Sequence, residues 1–334
     1  MKKVGKDTKT EVINIYDIED FSIGHDVDME NITGCTVIVC NNREKSTAGS
    51  DVRGGAPGTR NIDIIKPQCG FEACQAVVLS GGSCFGLNAA GGAEKCLEEH
   101  GIGLDFISVT LPIVVQAIIY DLGIGSPNVR PDFDMGYRAC QNAFKREKHP
   151  DGNVGAGVGA TCGKSLGVGS DRAMKSGLGT YCLKKGDLFV GAVMNVNAGG
   201  NIYDPNTHEM LAGVLDDTGN GLVDAEKFIL DNFDTNDTFD GNTTIGCIIT
   251  NAILNRAQAH KIAAWSHDGM ARAVRPIHTM SDGDTMFCMA TGEVEAAMTL
   301  VGTMAVTAVE NAIASAVRNA ESLGGFKSMK DINK

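Results

Sequence analysis

The chain has 334 residues, enough to bury a sizeable core as one large domain or two. Its formal net charge is −12, which argues against a nucleic acid or an anionic membrane surface as partner, since both need clustered Lys and Arg. Glycine is abundant at 42 residues while aromatics make up 5%, a composition of tightly packed layers and not of a flexible linker.

The opening Met1-Lys2-Lys3-Val4-Gly5-Lys6-Asp7 is basic with no apolar segment behind it, and no run approaches about 18 apolar residues. Neither export nor membrane spanning is signalled, so a cytoplasmic location is expected. Residues Cys35 to Asn41 read as a buried strand. The segment 51–60 is broken by glycines and a proline and reads as a loop. Ala76 to Ser80 reads as another strand, broken by Gly81-Gly82-Ser83 and followed by a helix from Cys84 to Glu99 that Gly101 ends. Ile107 to Tyr120 is apolar and β-branched, giving strand segments around Leu111-Pro112. Gly136 to Arg146 reads as a short helix.

Residues 152–164 are glycine-rich. They offer a G-x-G-x-x-G pattern without the strong preceding strand or the following acidic residue that a dinucleotide site needs, so lining of a substrate cleft is the better reading. Residues 174–180 form a turn entering a strand at Tyr181–Leu183, and Leu188 to Val196 is a strand reaching Asn197. Asp216 to Gly221 resembles a calcium loop, but its twelfth position is Lys227 and not Glu, which leaves a solvated turn. The polar segment 231–237 precedes a strand at Ile245–Thr250. Asn251 to Val274 is predicted as a helix with Ile253, Ala257, Ile262, Ala264 and Met270 as its apolar stripe. Thr291 to Asn319 is predicted as a second, with Met298, Val301, Ala305, Ala308 and Ala312.

The eleven cysteines are odd in number, dispersed and mostly inside apolar runs, so reduced buried thiols are expected. Cys35/Cys40 and Cys69/Cys74 are five apart with no histidine cluster, and no metal is expected.

Several residues could carry chemistry. Thr243 follows Asn242 at a loop-to-strand junction; it either opens a strand, as β-branched residues do, or becomes an N-terminal nucleophile after the Asn242–Thr243 bond is cut. Asp282 and Asp284 flank Gly283 ahead of an apolar run and form either a plain turn or a paired acidic site. Lys175 is a solvated lysine or a pocket ammonium. Asn197 is a strand-end turn former or an oxyanion donor. Gly81-Gly82-Ser83 lies between strand and helix, where backbone N–H groups can cradle an anion; Cys84 there is a lesser nucleophile candidate. His260 and His267 share a helix, and His278 lies four residues before Asp282, but no nucleophile elbow accompanies them.

Seven stretches in one order lift these readings above chance: 51–60, 79–87, 152–157, 175–180, Val196-Asn197-Ala198, Asn242-Thr243-Thr244-Ile245 and Asp282-Gly283-Asp284. Together they resemble the P1-family peptidases, which include the D-aminopeptidase/esterases, β-peptidyl aminopeptidases and nylon-oligomer hydrolases. The resemblance covers roughly residues 12 to 325. The Asn-Thr-Thr and Asp-Gly-Asp wording is closest to the nylon-oligomer hydrolase branch, since the other branches carry a Ser nucleophile. What it implies is an α+β, four-layer αββα sandwich of the D-aminopeptidase/ornithine acetyltransferase type. The single hydrolase domain, 1–334, would cut itself into 1–242 and 243–334. Thr243 would be the nucleophile, with Asp282, Asp284, Lys175 and Asn197 around it and Gly81, Gly82 and Ser83 in the substrate pocket. No cofactor is called for. Small peptides or amide oligomers would be the substrates, and a homo-oligomer, a tetramer of processed pairs, the assembly. An acyltransferase of ornithine acetyltransferase type and an unprocessed, non-catalytic homologue are the alternatives.

Overall fold

The computed structural model describes residues 2–5, 8–42, 46–70, 73–165, 171–232 and 241–332. Two sheets carry the architecture. The strands used below are β1 (Lys2–Lys3), β2 (Thr10–Ile13), β3 (Phe21–Asp28), β4 (Thr33–Cys40), β5 (Thr47–Val52), β6 (Thr59–Arg60), β7 (Ala76–Ser80), β8 (Val114–Ile118), β9 (Leu178–Lys185), β10 (Leu188–Asn197), β11 (Thr243–Ala252) and β12 (Thr285–Glu295). The helices are α1 (Ala89–Glu99), α2 (Phe133–Lys145), α3 (Ala225–Asn232), α4 (Arg256–Ala273) and α5 (Met298–Asn319).

The larger sheet runs β1-β12-β11-β10-β9-β2, with β5 sharing the far edge of β12. The smaller runs β3-β4-β7-β8-β6. Each contains a parallel pair joined by a helix on the outer face: β11 and β12 across α4, β7 and β8 across α1.

Strand alternation sorts the core into three layers. On β10, Val190, Ala192, Met194 and Val196 point to α4 and α5, whereas Phe189 and Val193 point to the other sheet. The intersheet layer joins these to Ile38, Val77, Leu79 and Val115 of the smaller sheet, and α1 and α2 cover the outer face of that sheet. The result is the four-layer αββα sandwich. Glycine serves it at close crossings. A Cβ on Gly24 of β3 would lie 2.1 Å from the Ala143 nitrogen in α2, and one on Gly179 of β9 would lie 2.0 Å from the Ala312 oxygen in α5. All eleven cysteines are free; only Cys84 is exposed, and Cys69 is half-buried.

The helices start elsewhere than the sequence pattern predicts. Residues 251–252 extend the β11 ladder, with Ala252 opposite Val294, and α4 begins at Arg256 behind Asn255, which forms a capping box with Gln258. Its buried face is Ala259, Ile262, Ala263, Ser266, His267 and Met270, so two polar residues disguised the stripe; Ile253 and Ala257 are exposed. Residues 291–295 belong to β12, which delays α5 to Met298. By length and composition α5 could cross a membrane, but Val301, Ala305, Ala308 and Ala312 are fully buried and the helix packs on β9 and β10. Residues 83–88 form a 3₁₀ turn before α1, and α2 starts at Phe133 because Asp132 accepts the Met135 N–H. The 51–60 segment is less irregular than expected: β5 reaches Val52 and β6 spans Thr59–Arg60. Of the polar segment 231–237, the first two residues end α3 and the rest lie outside the described residues.

Candidate active site

Three chain segments meet at one end of the larger sheet. Asn197, the last residue of β10, pairs with Thr243, the first of β11. Asn242 makes a parallel bridge to Asp282, and two residues on the ladder continues as Thr244 beside Asp284 and Ile245 beside Thr285. Asn242, Thr243, Asp282 and Asp284 are all buried. The sequence places Asn242 and Thr243 side by side covalently; the sheet brings the acidic pair to them from 40 residues away.

The Thr243 hydroxyl donates to the Asn242 carbonyl oxygen, against the peptide that would be cut. The same oxygen accepts the Gly283 N–H at 3.0 Å. A Cβ at position 283 would lie 2.7 Å from Thr243 Oγ1 and 3.0 Å from the Ala56 carbonyl oxygen, so only glycine lets the two strands close this far. One carbonyl thus meets both the Thr243 hydroxyl and a backbone donor from Gly283, a residue the sequence alone does not mark.

The two carboxylates differ in surroundings. Asp284 Oδ1 accepts the Thr244 N–H at 2.7 Å, while its Oδ2 accepts the His278 N–H at 3.1 Å and bonds His278 Nδ1 at 2.7 Å. Asp282 Oδ2 accepts the Thr279 N–H at 2.5 Å. Burial first, and then the charge of Asp284, push the Asp282 carboxyl up to about 6, with Lys164 pulling the other way. Residues 53–56 brace the loop from outside: the Arg53 N–H bonds the Asp284 carbonyl at 3.0 Å and the Ala56 N–H the Asp282 carbonyl at 2.8 Å.

Asn197 is at the site, but its amide is already committed. Nδ2 donates to the Tyr120 carbonyl at 3.0 Å and lies 3.5 Å from that of Gly241, while Oδ1 accepts from the Thr161 N–H at 3.0 Å and from Lys164 Nζ at 2.8 Å. In this geometry Asn197 organises the junction and does not donate to the Asn242 oxygen.

The Lys175 ammonium is bonded to backbone carbonyls and not to Thr243. It is fully buried and donates to the carbonyls of Gly157 at 3.1 Å, Ala160 at 2.9 Å and Ser176 at 2.5 Å. Those bonds use all three of its hydrogens and tie the glycine-rich segment together, while burial brings the group down to about 7. The lysine bonded to Asn197 is Lys164, which donates to its carbonyl at 3.0 Å and its Oδ1 at 2.8 Å and acts electrostatically on Asp282. Its sequence signal was its place at the end of the 152–164 glycine run, which reads equally well as passive cleft lining.

The Gly81-Gly82-Ser83 turn does not form the expected anion cradle. The Gly81 N–H goes to the Gly34 carbonyl at 3.0 Å, that of Gly82 to Asp121 Oδ1 at 2.6 Å, and that of Ser83 to the Ile119 carbonyl at 2.9 Å. A Cβ on Gly81 would fall 2.0 Å from Asp121 Oδ2. The turn instead clasps Asp121, fixing the neighbouring Tyr120 carbonyl that holds Asn197. Through these bonds the turn supports the site. Cys84 is exposed at its edge.

Against known proteins, the model described as "Peptidase family S58" matches residues 14–330. An uncharacterized aminopeptidase of Mycobacterium tuberculosis (strain H37Rv) is 35% identical over 351 residues, covering 96% of this chain and 97% of that protein. A 6-aminohexanoate-oligomer endohydrolase of Paenarthrobacter ureafaciens is 32% identical over 294 residues, covering 84% of this chain and 75% of that one. Among solved structures, the L-aminopeptidase D-Ala-esterase/amidase of Ochrobactrum anthropi, a variant among the Ntn hydrolase fold, superposes with a TM-score of 0.67 at 19% identity, over 93% of this chain and 87% of that one. At that identity the superposition speaks for the fold alone.

Proposed function

The chain belongs to peptidase family S58, whose members hydrolyse peptide and amide bonds, and from that premise we propose that it is a self-processing hydrolase with Thr243 as nucleophile. The observation that carries the reading is the convergence of the Thr243 hydroxyl and the Gly283 N–H on the carbonyl oxygen of Asn242.

In the precursor, Thr243 Oγ attacks the Asn242 carbonyl carbon and its proton passes to the Asp282 carboxylate, which flanks Asn242 across the parallel bridge. A carboxyl near 6 is mostly ionised at neutral pH and still basic enough to serve. The oxyanion takes up the Gly283 N–H, a donor worth on the order of ~3 kcal/mol in such sites. The C–N bond breaks, the Thr243 nitrogen accepts the proton, and water hydrolyses the ester to free the Asn242 carboxylate. The domain is then a pair, 1–242 and 243–334.

After scission the Thr243 α-amine, with an ordinary pKa of about 7.7–8.0, is the base for its own hydroxyl. Substrate acylates Thr243 Oγ, the amine protonates the leaving nitrogen, and water releases the acid. Asp282 and Asp284 orient the new amine, and Lys164, held on Asn197, favours the ionised form of Asp282. The substrate class is small peptides or amide oligomers, in keeping with relatives named as an aminopeptidase and as a 6-aminohexanoate-oligomer endohydrolase. A cytoplasmic tetramer of processed pairs completes the proposal, and native mass spectrometry reads its assembly.

The experiment is a denaturing gel with intact mass of the purified chain, together with hydrolysis of an aminoacyl amide panel. Two fragments divided at Asn242–Thr243 are expected, and Thr243→Ala gives one band without hydrolysis. An uncleaved Thr243→Ala protein with full activity sinks the mechanism.

A further inference from the structure

The acidic pair is asymmetric in a way the hydrolase reading does not use. Asp284 accepts two backbone N–H groups, from Thr244 and His278, and its Oδ2 also pairs with His278 Nδ1 at 2.7 Å, while Asp282 receives the Thr279 N–H and faces Lys164. His278 reaches Asp284 twice because its backbone sits at φ +60°, a left-handed conformation that costs a non-glycine residue about 1 kcal/mol or more. That conformation turns both its N–H and its ring onto one carboxylate oxygen. Strain held at such a place is a reason to look for a role.

The ring is also held from behind. His267 of α4 meets it edge to face, with centroids 4.7 Å apart at 71°. His267 is buried, and its Nε2 lies 3.1 Å from the Asp51 carbonyl oxygen and 3.4 Å from Asp51 Oδ1. Arg53 pairs with Asp51 at 3.0 Å and with Asp268 at 3.8 Å. The charged and titratable groups around the Asp284–His278 pair are therefore Asp282 on the same loop, Asp51 and Arg53 from β5 and the loop after it, and His267 and Asp268 from α4. Lys164 acts from the β10 side through Asp282. Burial lowers His267 to about 4, so it stays neutral above mildly acidic pH and adds no competing cation.

Resting on the hydrolase reading above, we propose that His278 is a positioning residue: it holds Asp284 as the ionised member of the pair and thereby leaves Asp282 as the member that takes and returns the proton. The physical reason is that donors aimed at a carboxylate favour its charged form, and a second carboxylate beside a fixed negative charge is the one that protonates. The burial that raises Asp282 acts in the same sense. In the precursor the proton is the one leaving Thr243 Oγ; it resides on Asp282 until the Thr243 nitrogen collects it, and Asp284 keeps its charge throughout.

The test uses the full chain, with wild type, His278→Asn and His278→Gly compared for the rate of scission after synthesis from pH 5 to 9, read on a denaturing gel, and for kcat and KM of the split protein on an aminoacyl amide. Asparagine tolerates the left-handed conformation and offers an amide N–H in place of Nδ1–H; it is expected to retain scission and kcat within about 3-fold. Glycine keeps the backbone and removes the donor. It is expected to slow scission by about 10- to 100-fold and to move the acid limb of the scission profile up by about one pH unit, because the reactive form has both carboxylates ionised and Asp284 has lost a donor to its charged form. His278→Ala removes the same donor and is compared alongside glycine, with the left-handed strain of its side chain read separately as a lower thermal midpoint. An acid limb that stays at the wild-type position in the donorless variants overturns the proposal, as does an asparagine variant as impaired as glycine. The hydrolase reading fails separately, if wild type is unsplit and inactive or Thr243→Ala is active.

Discussion

Gly283→Ala is the most direct probe of the junction. The residue is not in the left-handed region, so alanine brings no backbone penalty; its cost is the methyl group itself. That methyl would stand 2.7 Å from Thr243 Oγ1, 3.2 Å from Thr243 Cγ2 and 3.0 Å from the Ala56 carbonyl oxygen. An ordinary carbon–oxygen contact needs roughly 0.5 Å more, so the nucleophile or the 282–284 strand must move by about that distance. A displacement of about 1 Å can cost about 100-fold, which puts the loss at about 10-fold if only the hydroxyl shifts. Should the strand swing away and its N–H leave the Asn242 oxygen, a further ~3 kcal/mol disappears and the loss approaches about 1000-fold. Overpacking adds about 1–3 kcal/mol of destabilisation, visible as a lower thermal midpoint. The assay is the fraction of chain split at Asn242–Thr243 against time after synthesis, with Gly123→Ala as control, because a Cβ there meets nothing within 4 Å. Scission of Gly283→Ala at the wild-type rate refutes the reasoning, since it would mean that neither the close approach nor the donor matters.

Three further outcomes follow from the geometry. Lys164→Met is expected to slow scission by about 10-fold or more and shift its acid limb upward, because the ammonium that lowers the Asp282 pKa is gone; an unchanged rate and profile count against Lys164. Lys175→Met leaves three carbonyls short of their buried donor, at about 1–3 kcal/mol each, so stability falls while the folded fraction is split normally; the reverse pattern would return Lys175 to the site. Asp282 lies near 6 in the folded chain against an ordinary 3.8, so its contribution to stability is present below 3.8 and is lost as pH rises through 6. In a Thr243→Ala background, Asp282→Asn should therefore stabilise more at pH 8 than at pH 4.5, by on the order of 2 kcal/mol. Equal effects at the two pH values, read by urea titration, contradict the raised carboxyl.

What the sequence by itself determined is whatever is local or covalent. Asn242 and Thr243 are joined by the bond that would be cut, so nucleophile and future amine belong to one residue whatever the fold. Continuous apolar runs such as Leu188–Val196 and Ile245–Thr250 read as buried strands because a strand covered on both faces has no polar positions to spare. The ordered motifs supplied the family and, through it, the layers. Where helix and strand share an apolar run, as at 251–256 and 291–298, the boundary was illegible, because ladder pairing from another strand decided it. Lysine identity was equally illegible: Lys164 and Lys175 both border glycine-rich turns, and only the sheet shows one ammonium on Asn197 and the other spent on carbonyls 15 and 18 residues back in the chain. Gly283 and His278 acquired meaning only through tertiary structure. One is the gap that lets a strand reach the Asn242 carbonyl, and the other is a strained turn that closes on Asp284. The sequence thus placed the bond proposed to break beside the hydroxyl proposed to break it, because these are properties of neighbouring residues. The tertiary structure decided which donors and charges surround that bond, because hydrogen bonds and burial depend on groups that only folding brings within 3 Å of one another.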